Sequence, residues 1–193
     1  MIRATDEATA VVLDVDQAEL ALNPTRTRVW APIGVPWLGE TPGDNQKQPL
    51  FGAVNSRTGQ THFLRRPHKR SAAFQAFVDH VLIPASPDAD FLFLLVAGAH
   101  IYTSKSTRQW LAQRPQVVLV PLPSDAPKLN RQERLWHWRR ADVTHTHYFR
   151  TFAALIAAAE HFFATLGEQP QAVLQRIGRA FPSLLDHHLA TLL

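Results

Sequence analysis

One uninterrupted apolar run, Phe91–Val96 (FLFLLV), constrains the fold of this chain more than any other feature. Its six residues suit a β-strand, and a strand without polar alternation is buried on both faces of a sheet. Two more apolar segments indicate buried strands, Ala10–Asp16 before it and Val117–Val120 after it. We therefore expect a sheet with helices packed against both faces.

The strands that precede this central strand favour antiparallel pairing. Pro49–Val54 and Thr61–Leu64 flank a turn at Arg57–Gly59, which is the pattern of a β-hairpin. Thr27–Ala31 is predicted as another strand. Residues 33–48 are predicted as a loop, because this segment contains several prolines and glycines. The first half of the chain is thus expected to supply the antiparallel part of the sheet.

Helical patterns alternate with the later strands. An apolar stripe from Phe74 to Leu82 predicts an amphipathic helix with Ser71 as its N-cap. Further helices are predicted around Trp110, around Glu133, from Phe149 to Leu166 and after Pro170. This order predicts an α/β fold in which a mixed sheet is flanked by helices and followed by a C-terminal helical tail. Because the chain has 193 residues, we expect a single domain over residues 1–193.

Composition excludes several kinds of protein. There is no cysteine, which removes disulfides, thiolate nucleophiles and cysteine-based zinc sites and fits a reducing compartment. No apolar run approaches the roughly 20 residues of a membrane span. Asp6 and Glu7 stand where a signal peptide would carry positive charge. We therefore expect a cytoplasmic protein with no membrane segment.

Positive charge is concentrated in two places, although the net charge is only +4. Phosphate backbones favour such concentrations, because each neutralised phosphate releases a counterion. DNA is therefore one expected partner, and a solvated basic face is the alternative. The candidate DNA-binding residues are Arg65, Arg66, Lys69, Arg70, Lys128, Arg131, Arg134, Arg139 and Arg140.

Two stretches of the chain carry a family resemblance. Asp14–Gly34 (DVDQAELALNPTRTRVWAPIG) has an acid at a strand end followed by a Trp-Ala-Pro segment. Leu119–His145 (LVPLPSDAPKLNRQERLWHWRRADVTH) has Leu-Pro, Pro, Leu-Asn, Glu and Trp in order. Both stretches resemble the mariner-related insertion-sequence transposases, whose catalytic domain is of the DDE type. By this resemblance Asp16 takes the place of the first catalytic carboxylate and Glu133 that of the third, with Trp136 three residues later.

A third stretch departs from the family at a catalytic position. The family ends its central strand in Asp-Asn-x-x-Ile-His, followed by a Ser-Lys pair and a Trp-Leu. In this chain the strand is followed by AGAHIY, and the Ser104-Lys105 pair and Trp110 help to fix the register. Ala97 therefore replaces the second catalytic Asp, 36 positions before Glu133, and Tyr102 replaces the His.

The resemblance implies a ribonuclease-H-like fold and a function in DNA cleavage and strand transfer during DNA transposition. It implies Mg²⁺ or Mn²⁺ as the cofactor, with Asp16 and Glu133 as metal ligands and catalytic residues. Hard cations prefer carboxylate oxygens, and Ala97 has none, so we expect impaired metal binding and a degenerate, inactive copy. The implied partners are DNA and either a second copy in a homodimer or an intact transposase. We expect the family's N-terminal helix-turn-helix region to be absent.

Several alternatives stay open. Asp14, two residues before Asp16 on the same strand, could be the first ligand, and His100 could complete a metal site. The chain could be an active metal-dependent DNA endonuclease subunit that works with a separate DNA-recognition chain. It could also be a regulatory or DNA-binding domesticated remnant. The pairs His145/His147 and His187/His188 lack an evident third ligand, which favours ordinary histidines over a metal site.

Overall fold

Helices pack on both faces of a five-stranded mixed sheet. The computed structural model describes residues 9–23, 33–34, 42–123, 129–145 and 147–178. The strands are β1 Ala10–Ala21, β2 Lys47–Val54, β3 Thr61–Arg65, β4 Phe91–Val96 and β5 Val117–Pro121. Their order in the sheet is β3-β2-β1-β4-β5. β2 pairs antiparallel with β1 and β3, whereas β4 pairs parallel with β1 and β5, as the sequence predicts.

The helices follow the predicted order. They are α1 Ser71–Phe77, α2 His100–Thr103, α3 Lys105–Leu111, α4 Gln132–Arg139, α5 Phe152–Glu168 and α6 Pro170–Ile177. Both α1 and α4 continue into a π-helical turn, at Val78–Leu82 and Arg140–Thr144 respectively. None of the segments described has a helix that is long and apolar enough to cross a membrane.

Two local predictions have different outcomes. The N-cap of α1 is Arg70 and not Ser71, so that prediction was wrong. Ser71 is instead the first helical residue, and its Oγ lies 2.8 Å from the Oγ of Ser104 at the start of α3. The hydroxyl therefore joins two helices and does not cap one. The predicted strand Thr27–Ala31 lies outside the described residues.

β1 runs further than its predicted end at Asp16. Its parallel pairing with β4 stops at Val15 and Val96. Its antiparallel pairing with β2 continues to Ala21, opposite Lys47. Beyond Val15, β1 therefore has a paired strand on one side only among the described residues, and the described sheet opens at this point.

Apolar side chains fill both faces of the sheet. On one face α1, α2 and α3 cover a core that includes Leu13, Val15 and Phe51. On the other face α4, α5 and α6 cover a core that includes Leu20 and Val54. The continuous apolar run of β4 is thus explained, because helices exclude water from both sides of the sheet at its centre.

The close approach of α4 to the sheet depends on Gly52 of β2. A Cβ at this position would lie 2.5 Å from Gln132 Nε2 and 2.5 Å from Trp136 Cη2, which is far inside van der Waals contact. The Trp136 ring is 1% exposed and lies 5.7 Å from the Phe63 ring, centroid to centroid. The missing side chain at position 52 therefore lets the first turn of α4, which carries Glu133, pack directly on the sheet.

Candidate active site

The register of two parallel strands places Asp16 and Ala97 side by side. β1 and β4 pair through Asp14 with Leu95 and through Val15 with Val96. The residues that follow are Asp16, within β1, and Ala97, directly after β4, at the level where the parallel pairing stops. The position that the family resemblance assigns to the second catalytic carboxylate thus follows the last residue pair of the parallel register, as Asp16 does.

The carboxylates of Asp16 and Glu133 meet at this opening. Asp16 is 8% exposed and accepts a hydrogen bond from Trp136 Nε1 at 3.1 Å. Burial raises the pKa of Asp16 to about 6, and the neighbouring Glu133 carboxylate contributes to the rise. Two carboxylates in such proximity repel each other in the absence of a cation or a shared proton. The pair is therefore suited to hold a proton or a positive ion between them.

A polar clamp holds α4 against β1. Asn130 is 2% exposed, and its Nδ2 donates to the carbonyl oxygen of Val15 at 3.0 Å. Its Oδ1 accepts from the backbone N–H of Gln132, the first residue of α4, at 3.0 Å. The clamp joins the start of α4 to Val15, the residue before Asp16, and this brings Glu133 to the site.

Asp14 belongs to the same clamp. It is fully buried, and its Oδ1 accepts from the backbone N–H of Arg131 at 3.3 Å. The Arg131 guanidinium lies 3.5 Å from its Oδ2. Burial raises the pKa of Asp14, and the Arg131 charge opposes the rise. With its carboxylate enclosed against Arg131, Asp14 is placed as an anchor for α4, which disfavours the alternative that it is the first metal ligand.

The described residues bring two carboxylates together and no third ligand. Across the segments described, no three His, Cys, Asp or Glu side chains are grouped so that they could hold a metal ion. Ala97 offers no oxygen, and His100 is exposed at the start of α2. The alternative in which His100 completes the site therefore gains no support from the geometry.

Comparison with known proteins identifies the family. Residues 11–156 match the family described as DDE superfamily endonuclease. The chain belongs to this family. It is also 29% identical over 170 residues to the insertion element IS630 uncharacterized 39 kDa protein of Shigella sonnei, an alignment that covers 87% of this chain and 49% of that protein. The chain thus spans about half the length of this curated relative.

Solved transposase structures share the fold of this DDE domain. One is a pre-cleavage Mos1 transpososome, with a TM-score of 0.62 at 14% identity, covering 88% of this chain and 56% of that one. Another is the mariner Mos1 paired-end complex with Mg, with a TM-score of 0.61 at 16% identity, covering 89% and 56%. At such identities the likeness concerns the fold, and it confirms the predicted ribonuclease-H-like architecture.

The first basic cluster lies on the surface of the DDE domain, with several charges already paired. Arg65 forms an ion pair with Glu160 of α5. Lys69 lies 3.5 Å from the carboxylate of Glu19 on β1. Arg70 is exposed at the start of α1. The half-exposed or exposed members of this cluster are Arg65, Arg66, Lys69 and Arg70.

The second basic cluster is largely enclosed, which corrects part of its predicted role. Arg131 is 8% exposed and faces Asp14, and Arg139 is 2% exposed. Neither guanidinium is displayed on an open surface, because α4 turns both towards the sheet. Arg134 is exposed and donates to the carbonyl oxygen of Ile177, and Arg140 is half-buried. Lys128 lies outside the described residues.

The sequence analysis did not identify two polar residues of the site as functional candidates. Gln132 is fully buried, and neither its Oε1 nor its Nε2 has a hydrogen-bond partner. The Tyr102 hydroxyl is also buried without a partner, and burial, with the nearby Asp16 charge, raises its pKa. Tyr102 had a signal in the sequence, because it stands where the family has His. Gln132 had none beyond its place next to Glu133.

The donor set of this DDE domain does not fit the metal pair of a two-metal centre. Such a pair, about 3.5–4 Å apart, needs oxygens that reach both ions. Asp16 and Glu133 supply carboxylates for one hard cation, and Ala97, directly after β4, has only a methyl group as its side chain. The residues present therefore do not supply the oxygens that a pair of metal ions needs for cleavage.

Proposed function

We propose that this chain is the catalytic domain of an insertion-sequence transposase that binds DNA but has lost metal-dependent cleavage. The proposal is supported by the register of β1 and β4, which pair through Val15 and Val96, the residues directly before Asp16 and Ala97. The interaction between the Asp16 and Glu133 carboxyl groups supports it further. The parallel register leaves little freedom here, since a slip by one residue would turn the side chains to the other face. The defect is thus a missing side chain within an otherwise assembled site.

Loss of a metal ligand has a large expected effect. Removing even an outer partner of a metal ligand costs about 10–100-fold in affinity or activity, and a direct ligand counts for more. We expect Mg²⁺ or Mn²⁺ to bind weakly at Asp16 and Glu133. Both carboxylates nevertheless remain. Burial and the neighbouring Glu133 raise the pKa of Asp16, which indicates that no nearby positive group among the described residues stabilises its negative charge.

DNA is the proposed partner because positive charge borders this site. Lys69 reaches Glu19 on β1, three residues after Asp16. Arg140 stands at the end of α4 and lines the same cavity as Glu133. Together with Arg65, Arg66, Arg70 and Arg134, these residues carry the exposed or half-exposed positive charge of the two basic clusters, whereas Arg131 and Arg139 are buried. We place its action in the cell interior, with a second copy or an intact transposase as a further possible partner.

Plasmid nicking tests the proposal. Supercoiled plasmid is incubated with the chain or with its Ala97→Asp variant, in Mg²⁺ and separately in Mn²⁺. Ala153→Asp is the matched control, because Ala153 is exposed in the first turn of α5, where an acid is compatible with the helix dipole. We expect the chain and the control variant to leave the plasmid intact and Ala97→Asp to nick it.

Further variants separate the possible outcomes. In the Ala97→Asp background, Glu133→Ala and Asp16→Ala should each abolish nicking, because three carboxylates are required together. Nicking by the unaltered chain that Glu133→Ala removes would contradict the proposal and favour an active endonuclease subunit. The absence of any DNA binding at low salt by the unaltered chain would contradict the other half of the proposal.

A further inference from the structure

A small cavity lies beside the carboxylate pair, between β1 and the end of α4. Its volume is about 150 Å³. Its wall includes Gln17 and Glu19 from β1, Glu133 and Arg139 from α4, and Arg140 from the π-helical turn that follows. The cavity is thus lined both by Glu133 of the candidate active site and by two consecutive arginines.

Arg139 gives this cavity a buried positive charge. The residue is 2% exposed, and its Nη2 donates to the backbone carbonyl oxygen of Glu19 at 3.3 Å. Among the described residues, its buried Nε and Nη1 have no hydrogen-bond partner. A buried cation is costly unless an opposite charge or a full set of acceptors accompanies it. Burial lowers the pKa of Arg139 to about 10, with the charge of Arg140 adding to the effect. The part of the chain that the structure describes therefore leaves this charge uncompensated.

Arg140 adds a second cation to the wall of the cavity. It is half-buried, and within the described segments no ion pair is formed by it or by Arg139. It begins the π-helical turn Arg140–Thr144, and π-helical segments are frequent at functional sites. A π-helical turn is wider than an α-helical turn, and this one contributes Arg140 to the cavity wall.

The two acids on the cavity wall do not neutralise these arginines. Glu19 lies 3.5 Å from Lys69, which offsets its charge. Glu133 interacts with the Asp16 carboxyl group. The Gln17 amide, which also lines the cavity, has a buried Oε1 that accepts no hydrogen bond from the described residues. Within that part of the chain, the two arginines thus form no ion pair with the acids on the cavity wall.

We propose that this cavity is a subsite for a tetrahedral phosphate group, with Arg139 and Arg140 as its cations, and that it works without a divalent metal. The inference rests on the proposed function, since the subsite lies next to Glu133 and would hold a DNA backbone phosphate beside the former cleavage position. Guanidinium groups suit this ligand, because their fixed donors match phosphate oxygens. A free phosphate or a nucleotide would offer the same chemistry, so the two sources are separated by experiment.

Inorganic phosphate is the first probe, used on the full chain in EDTA. The indole N–H resonance of Trp136, which also lines the cavity, is followed by NMR as phosphate replaces chloride at constant ionic strength. We expect a saturable shift that Arg140→Gln weakens at least tenfold and that Arg139→Lys also weakens. Arg108→Gln is the matched control, because Arg108 is exposed on α3, which packs on the opposite face of the sheet. Thermal melting checks the folding of each variant. If Arg139→Lys does not fold, the Arg140→Gln variant alone tests the proposal, because Arg140 is only half-buried.

A labelled DNA duplex is the second probe, titrated in EDTA at several salt concentrations. Loss of one phosphate contact should reduce the slope of log affinity against log salt by about one. A phosphate response with this slope change in Arg140→Gln assigns the subsite to the DNA backbone. A phosphate response without it assigns the subsite to a free phosphate or nucleotide.

No phosphate response beyond that of chloride would overturn the subsite. DNA binding that Arg140→Gln does not change, together with no phosphate response, would contradict the subsite but not the proposed function. Absence of DNA binding by the unaltered chain would instead contradict the proposed function.

Discussion

Asn130 and Val15 are joined across 115 positions of sequence by one hydrogen bond of 3.0 Å, and this bond aligns the two parts of the candidate site. Val15 precedes Asp16 at the end of the parallel pairing, and Asn130 precedes the helix that carries Glu133. The same Asn130 side chain also accepts a hydrogen bond from the N–H of Gln132, the first residue of that helix. One buried amide therefore fixes the distance between the two carboxylates.

Asn130→Ala should lower the free energy of unfolding by about 1–3 kcal/mol, because it leaves the buried Val15 carbonyl oxygen and the Gln132 N–H without this partner. Urea titration followed by circular dichroism measures the change. Gln113→Ala is the control, since Gln113 is exposed after α3. Equal stability of both variants would show that the clamp does not hold α4.

Asp16→Asn should stabilise the metal-free protein at alkaline pH. The pKa of Asp16 rises from 3.8 to about 6 on folding, so the folded state binds its proton more tightly than the unfolded state. The carboxyl is protonated in both states below about pH 4, and the stability it provides is lost as pH rises through about 6. At pH 8 in EDTA we expect Asp16→Asn to gain roughly 1–3 kcal/mol, because a shift of one pKa unit is worth about 1.4 kcal/mol.

The pH dependence of this gain is the decisive feature. Thermal melts at pH 4 should show almost no difference between Asp16→Asn and the unaltered chain. Asp88→Asn serves as the control, because Asp88 is exposed before β4. A gain of the same size at pH 4 and pH 8 would mean that the effect does not come from the charge of Asp16.

Gln132→Met should stabilise the fold. Gln132 is fully buried and neither side-chain polar atom has a partner, so its amide is desolvated without compensation. Methionine has a similar length and no comparable polar group, and relief of a buried unsatisfied group is worth about 1–3 kcal/mol. Urea titration provides the measurement, with the exposed Gln109→Met as control. Destabilisation by Gln132→Met would show that the amide has a partner in solution.

Gly52→Ala should destabilise the protein and disturb the site. The added methyl group would meet Gln132 Nε2 and Trp136 Cη2 at 2.5 Å, and overpacking of this kind costs about 1–3 kcal/mol. Displacement of Trp136 should also weaken its hydrogen bond to Asp16, visible as a shift of the indole N–H resonance. Gly167→Ala in α5 has nothing within 4 Å and should be neutral or stabilising. A neutral Gly52→Ala would refute the close packing of α4.

Much of the fold could be predicted because its signals are local. The apolar run of β4 requires cover on both faces, and the Leu-Asn, Glu and Trp pattern places Glu133 at the start of a helix. The position of Ala97 beside Asp16 was predicted from motif register, and the pairing of Val15 with Val96 supports it. The sequence analysis ends the first strand at Asp16, because the residues that follow alternate between polar and apolar. In the structure β1 continues to Ala21, and these later residues pair with β2.

The orientation of charged side chains was not predictable in the same way. Arg131 and Arg139 stand in a basic run, and the run alone does not show that α4 turns them towards the sheet. Their burial depends on Asp14 and on the carbonyl oxygen of Glu19, both more than 100 positions earlier. Ser71 was displaced as N-cap by a tertiary contact with Ser104, which outweighs its local preference.

The binding of Mn²⁺, followed by electron paramagnetic resonance, tests most directly whether position 97 is the missing ligand. The chain is compared with Ala97→Asp and with the control Ala153→Asp. The account predicts that Ala97→Asp tightens Mn²⁺ binding at least tenfold, that Glu133→Ala reverses the gain, and that the control binds like the unaltered chain. Equal affinity of the unaltered chain and Ala97→Asp would contradict the account, because the site would then already hold its metal without a carboxylate at position 97.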